Sequence, residues 1–284
     1  MPEKVKITIL CENSVPYPAS GVLGEHGLAM LLETDTKRIL FDTGGGMTLL
    51  QNAKVLNVDL KNLDALVLSH GHYDHTGGLK ALLQNYGGCL DIYAHPDIFE
   101  GKYHLIEGKE PKKIGLPWTK EELEDLGARF HLAREPRKLS GGVLLTGEIP
   151  RREKEEEGTI KELCRQNPDG SLVPDPFFDD QAIIVESPEG MIVLLGCTHS
   201  GLINTLKYAA ELTENEKIRA CIGGTHLVAA SKERLGYTLK ELEKFNVQQI
   251  APCHCTSFHA AFIFYQFFKE RFIYGSAGIV FAFG

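Results

Sequence analysis

The stretch LSHGHYDHTGGL, Leu68 to Leu79, places three histidines and an aspartate within six positions, after the apolar run LDALVLS (63–69) and before a glycine pair. A continuous apolar run of that length is a strand buried on both faces, so the cluster begins where the strand ends. An imidazole binds a divalent ion through one neutral nitrogen, and a strand-end loop can turn alternate residues toward a common point. His70 and His72 are therefore expected to share one ion, and Asp74 and His75, offset from them, to reach a second. Two ions about 3.5 to 4 Å apart would let a bridging hydroxide form near neutral pH and would hold substrate oxygens. A lone histidine after a strand is ordinarily a surface or hydrogen-bonded residue. Four ligand types in the order H-x-H-x-D-H are not.

Outward from this segment the chain alternates strand and helix. GLKALLQNYGG (78–88) reads as a helix and LDIYAHP (90–96) as a strand. Upstream, VKITIL (5–10) and LAMLLETDTKRILF (28–41) read as strands, with a turn in the second and a glycine cluster after Asp42. Downstream, QAIIVESPEGMIVLLGC (181–197) is a strand, a Pro-Glu-Gly turn and a strand. Three more histidines, His199, His226 and His254, each follow an apolar run, so the second half repeats the theme of strand end and histidine. Residues 101–176 are different in character, rich in charged pairs and poor in long apolar strands. They are expected to be an insertion or lid on one domain spanning 1–284, having too few apolar residues to pack alone.

Composition narrows the class. With 284 residues, 43% of them hydrophobic, the chain can bury a full core, and its formal charge of −8 argues against nonspecific binding to nucleic acid or anionic membrane. The apolar part of the N-terminus is too short for a secretory signal, and FHAAFIFYQFF (258–268) is too short to span a bilayer. Seven cysteines without paired spacing suit a reducing cytoplasm better than a disulfide framework. A small-molecule substrate is the expected partner, with a homo-oligomer left open. The aromatic stripe Phe262, Tyr265, Phe268 and Phe272 reads mainly as core, with a dimer contact or pocket wall as the alternative.

SHGHYDHTGG resembles the signature of the metallo-β-lactamase superfamily, and FDTGGG (41–46), LLGCTHSG (194–201) and APCHCTS (251–257) sit where that superfamily has its other motifs. The resemblance covers nearly the whole chain. It implies an α/β fold, a four-layer αββα sandwich, with two divalent ions, zinc in most members, in a groove at one edge. Through TGEIPR, DDQAIIV, GCTHSGLIN, GGTHL and PCHCT the chain also resembles the dihydropterin ribofuranosylaminobenzene 5'-phosphate synthase-like subfamily.

Carried over position by position, the resemblance implies His70 and His72 on the first metal and Asp74, His75 and His254 on the second, with Asp74 also the catalytic carboxylate. Many members end the strand equivalent to MIVLLG with Gly-Asp, whose carboxylate bridges the metals, whereas here Gly196-Cys197 is followed by His199. His199 is favoured to serve the first metal; Cys197 could supply a thiolate, and Asp179 or Asp180 a carboxylate. Asp42 is expected to orient a metal-bound histidine, or else to cap the glycine loop. His95 reads as structural, His226 as a substrate contact or proton donor, and Cys253 and Cys255 as packing residues that point away from His254 if the segment is extended.

A dimetal hydroxide attacks esters, lactones, amides or phosphate esters, and the motif does not choose among them. Arg134, Arg137, Lys138, Arg151 and Arg152 form the one basic concentration of the chain, which suggests phosphate recognition, with Arg151 the first candidate; solvated surface charge is the plainer reading. The leading expectation is a metal-dependent hydrolase of a small phosphorylated or ester-bearing metabolite. The alternatives are a transferase condensing a dihydropterin pyrophosphate with ribofuranosylaminobenzene 5'-phosphate, and a metabolite-binding metal protein without turnover. Histidine at His72 suits zinc better than the glutamate expected for iron–oxygen chemistry in the superfamily.

Overall fold

Apolar residues on successive positions of most strands require two buried faces, and the computed structural model, which describes residues 1–18, 20–157 and 162–284, provides them. A seven-stranded sheet runs in the order Val280–Phe283, Val5–Cys11, Ala29–Thr34, Arg38–Phe41, Ala65–Val67, Leu90–Ala94 and Ala128–Leu132. Its pairings are antiparallel up to Arg38–Phe41 and parallel from there on. A six-stranded sheet runs Ile250–Cys253, Ile218–Gly224, Gly190–Leu195, Ile183–Ser187, Val143–Leu145 and Arg137–Leu139. Ile183–Ser187 and Gly190–Leu195 form the expected hairpin.

The period-two alternation of the strands sorts the core into three layers. Ile7, Met30, Phe41 and Val67 from the first sheet meet Val185, Ile192, Leu194 and Ile222 from the second. On its other face the first sheet packs Leu31, Leu40 and Leu66 against Leu49, Leu79, Leu82 and Leu83 of helices Leu49–Val55 and Leu79–Tyr86. The second sheet packs Val193, Leu195 and Cys221 against Leu202, Leu206, Leu242 and Phe264 of helices Leu202–Thr213, Lys232–Lys244 and Ser257–Phe268. Helix, sheet, sheet, helix is the four-layer αββα order.

Residues 101–176 do not stay apart as one insertion. Ala128–Leu132 joins the first sheet, and Arg137–Leu139 and Val143–Leu145 join the second. Their apolar residues are few because each strand borrows its core from a sheet already built. Four other strands of this stretch form a third sheet, Leu172–Pro174, Leu163–Gln166, Lys102–His104 and Lys112–Lys113, fastened to the histidine segment by a bridge between His72 and Gly115. The aromatic helix also departs from expectation. Its buried stripe is Ala260, Ala261, Phe264 and Phe268, while Phe262 and Tyr265 are about half exposed, because the helix lies one face down on the second sheet. Among the described residues no helix is long and apolar enough to cross a membrane.

Candidate metal centre

Strand ends from both sheets meet at one edge, and each delivers a polar side chain. The strand Ala65–Val67 leads into His70 and His72, and the short helix Tyr73–Thr76 presents Asp74 and His75. His199 and Cys197 follow the strand Gly190–Leu195, His226 follows Ile218–Gly224, and His254 follows Ile250–Cys253. At this edge Asp42, after the strand Arg38–Phe41, and Thr198, His226 and His254 hold left-handed backbone, with φ of 62°, 54°, 46° and 53°. Such conformations are costly for residues with a Cβ, and their gathering at one edge is the pattern of a strained functional site.

Two groups of donors result. His70, His72 and His199 place ligand atoms within 4.8 Å of one another, with His70 Nε2 2.9 Å from His72 Nδ1. His199 is held by face-to-face stacking on Phe177, ring centroids 4.0 Å apart. In the second group His75 Nε2 lies 3.1 Å from His254 Nε2 and 3.2 Å from Cys197 Sγ, and Asp74 Oδ2 lies 3.3 Å from His254 Nε2. His70, His75 and Cys197 form a further close trio between the two.

The donor chemistry fits divalent metal. Buried polar atoms ordinarily find partners, yet among the described residues His72 Nε2 and His199 Nε2 are buried with none. Burial, with neighbouring histidines adding to it, drives His70 and His199 well below the usual imidazole range, and burial with Lys102 takes His72 down to about 3. These rings are neutral at pH 7, the form that ligates. His75 differs: burial opposes its charge, but Asp42 and Asp74 outweigh burial and raise it. Asp74 is likewise kept ionised against burial by His75, His254 and His26.

Around the donors a frame of hydrogen bonds fixes ring orientation. Asp42 Oδ2 lies 2.7 Å from His75 Nδ1 and accepts the Ser69 hydroxyl at 2.7 Å, while Ser69 Oγ sits 2.9 Å from His70 Nδ1. Asp42 thus stands behind His75 and, through Ser69, behind His70. Asn13 Oδ1 lies 2.9 Å from His254 Nδ1, and Glu12 accepts the His254 backbone N–H at 2.6 Å. Lys102 is buried between Asp175 and Asp179 at 2.8 and 2.9 Å, and Asp179 accepts the Gly71 N–H at 2.8 Å, which ties the loop between His70 and His72 to the third sheet.

A cavity of about 470 Å³ opens over the donors, lined by His72, Asp74, Cys197, His199, His226 and His254, with His26, Tyr73, His104 and Lys112 among its other walls. A description of the metallo-β-lactamase superfamily matches residues 23–204. The chain belongs to the metallo-β-lactamase superfamily. It is 35% identical to a Methanocaldococcus jannaschii protein named 7,8-dihydropterin-6-methyl-4-(β-D-ribofuranosyl)-aminobenzene-5'-phosphate synthase, over 95% of this chain and 94% of that one. The subfamily resemblance therefore holds as well. A solved metal-dependent hydrolase of the β-lactamase superfamily superposes with a TM-score of 0.81 at 28% identity, covering 98% of both chains. The metallo-β-lactamase fold protein YhfI from Bacillus subtilis, 13% identical, shares the fold at a TM-score of 0.57 over 99% of both chains.

Within this superfamily frame, several residues lie elsewhere than expected. Arg151 does not face the donors: its guanidinium donates to the His199 carbonyl at 3.1 Å and lines a separate cavity with Glu153, Glu156 and Ser200. Arg134 is paired with Asp97 and Glu148, and Arg152 with Glu211. Arg134 and Arg152 are therefore taken up in ion pairs, and among the described residues Lys112 is the lysine that lines the cavity. Asp179 and Asp180 stand back from the donors, the first on Lys102 and the second accepting the Ser200 N–H at 2.8 Å. His95 is bonded to Glu148 away from the site. Cys253 is in the sheet-to-sheet core, but Cys255 faces the cavity, because the turn at His254 ends the extended backbone on which opposed side chains would depend.

Sequence reasoning missed His26, whose Nε2 lies 3.2 Å from Asp74, together with Glu12, Asn13 and Lys102. Glu12 and Asn13 carried a readable signal, being polar residues at the end of an apolar strand like the histidines. Lys102 carried none, since one lysine in a charged stretch looks like any other.

Proposed function

We propose that this superfamily member is a metal-dependent hydrolase of a small phosphorylated or ester-bearing metabolite, with His70, His72 and His199 holding one divalent ion and Asp74, His75 and His254 a second. The observation that carries the reading is the convergence of buried imidazoles, those of His70, His72 and His199 held neutral at pH 7, beneath an open cavity. A divalent ion held there supplies a Lewis acid for a phosphoryl or carbonyl oxygen and brings the pKa of water close to 7. The protein contributes the rest. Phe177 fixes the His199 ring, and Asp42 fixes His75. The His226 ring, 4.2 Å from that of His199 and brought down to about 4 chiefly by burial, is neutral at pH 7 and offers a hydrogen-bonding contact to a substrate. Lys112 and His104, on the third sheet, supply donors for an anionic group at the rim.

A second reading is supported by the likeness to the M. jannaschii synthase: a transferase that joins a dihydropterin pyrophosphate to ribofuranosylaminobenzene 5'-phosphate. Ions held by the same residues would then bind the diphosphate, and the cavity would take an amine-bearing acceptor in place of water. Purified zinc-loaded protein assayed with that substrate pair, and separately with phosphodiesters, phosphomonoesters, lactones and thioesters, separates the two. Turnover of a single substrate with water alone, abolished in His72→Ala and by chelation, supports hydrolysis. Product formed only when both pterin and aminobenzene substrates are present overturns it in favour of transfer. Tight retention of a metabolite with no turnover on either arm overturns both and leaves a binding protein.

A further inference from the structure

Cys197 and Cys255 reach the same point from strands that do not touch. Cys197 follows Gly190–Leu195 and Cys255 follows Ile250–Cys253, and the strand Ile218–Gly224 runs between them. That middle strand ends at Gly224, where a Cβ would lie 2.7 Å from Cys255 Sγ and 3.3 Å from the Cys197 Cα. The bare glycine therefore leaves room for sulfur to cross it. Two details set Cys255 in place. The left-handed turn at His254 lets consecutive residues His254 and Cys255 both face the cavity, and Cys255 Sγ accepts the His226 N–H at 3.3 Å. The ligand atoms of Cys197, His254 and Cys255 lie within 4.8 Å of one another.

We propose that Cys197 and Cys255 join His254 as donors to the second ion, making that end of the cavity a sulfur-rich binding site for a borderline or soft divalent cation, zinc or cobalt. The inference rests on the reading of this cavity as a metal centre and adds its donor type. Thiolate donors favour Zn²⁺ and Co²⁺ over Mg²⁺ and Mn²⁺, and each thiol that coordinates releases its proton to solvent. The donor set selects the cation before the substrate is considered. Four other cysteines lie elsewhere: Cys253 is packed between the sheets, Cys221 between the second sheet and its helices, Cys11 receives the Thr48 hydroxyl, and Cys89 is exposed on the surface.

The test titrates metal-free full-length protein with Co²⁺ and records the near-ultraviolet sulfur-to-cobalt charge-transfer band, while equilibrium dialysis counts bound metal. Wild type is expected to develop the band, Cys197→Ser and Cys255→Ser each to retain about half of it, and the double variant to bind metal without it. Should the variants fail to fold, wild type alone suffices. Alkylation of Cys255, read by peptide mass, is expected to slow about tenfold or more on adding stoichiometric Zn²⁺ and to recover with chelator, while exposed Cys89 reacts at one rate throughout. Metal bound with no band, or a band that Cys255→Ser leaves intact, or Cys255 alkylation indifferent to Zn²⁺, would each overturn the sulfur site and leave the metal centre standing. No metal bound at all would remove both.

Discussion

Asp42 illustrates how much one residue can hold. Its carboxylate is fully buried, accepts from both the backbone and the hydroxyl of Ser69, and faces His75. Asp42→Asn keeps the shape and removes the charge, so zinc affinity measured by chelator competition is expected to fall about 10- to 100-fold while the fold is kept. Asp180 carries a different signature. Burial raises its carboxyl to about 6 from an ordinary 3.8. Between those values the folded state binds more protons than the unfolded one, so this group makes stability fall as pH rises from about 4 to 6. Asp180→Asn keeps an oxygen for the Ser200 N–H and deletes the titration. Urea unfolding at pH 4.5 and pH 7 is expected to show a gain of up to about 3 kcal/mol at the higher pH that shrinks at the lower one. Equal pH slopes for the two proteins would refute the assignment.

The histidine loop is built to be approached closely on one side and braced on the other. The TGG that ends the motif sits against the glycine loop: a Cβ on Gly78 would lie 2.2 Å from the Thr43 carbonyl oxygen, and one on Gly77 2.4 Å from that of Gly45. Gly78→Ala must push the two loops apart, and thermal unfolding is expected to register a loss of about 1 to 3 kcal/mol together with weaker metal binding. On the opposite side Lys102 neutralises Asp175 and Asp179, all three buried. Burial works against the lysine's charge, but the two carboxylates outweigh it and raise its pKa. Lys102→Met leaves two carboxylates unpaired in the interior. Denaturant unfolding should show a loss of about 3 to 5 kcal/mol.

For the whole molecule, metal and fold are expected to be linked. Donors come from both sheets, Asp74 and His75 from one and Cys197, His199 and His254 from the other, so an ion binding them joins the two halves of the sandwich. Binding to the folded state alone adds about 2.7 kcal/mol when free metal is 100 times its dissociation constant. Calorimetry should therefore show a higher Tm with Zn²⁺ than after dialysis against chelator. An unchanged Tm would mean that the donors do not act together across the sheet-to-sheet interface.

By itself the sequence determined the strands outside residues 101–176 and the strand-end positions of the H-x-H-x-D-H residues, His199, His226 and His254, because period-two burial and residue spacing are local properties of the chain. It could not decide which distant side chains stand behind the donors. Asn13 reaches His254 across 241 positions and Asp179 reaches Gly71 across 108, contacts that exist only once two sheets are stacked. The same holds for Arg151, drawn off to the His199 carbonyl, and for Cys255, turned into the cavity by the backbone at His254. Side-chain direction at a loop follows from φ and from what packs against it, and both are set by the tertiary structure.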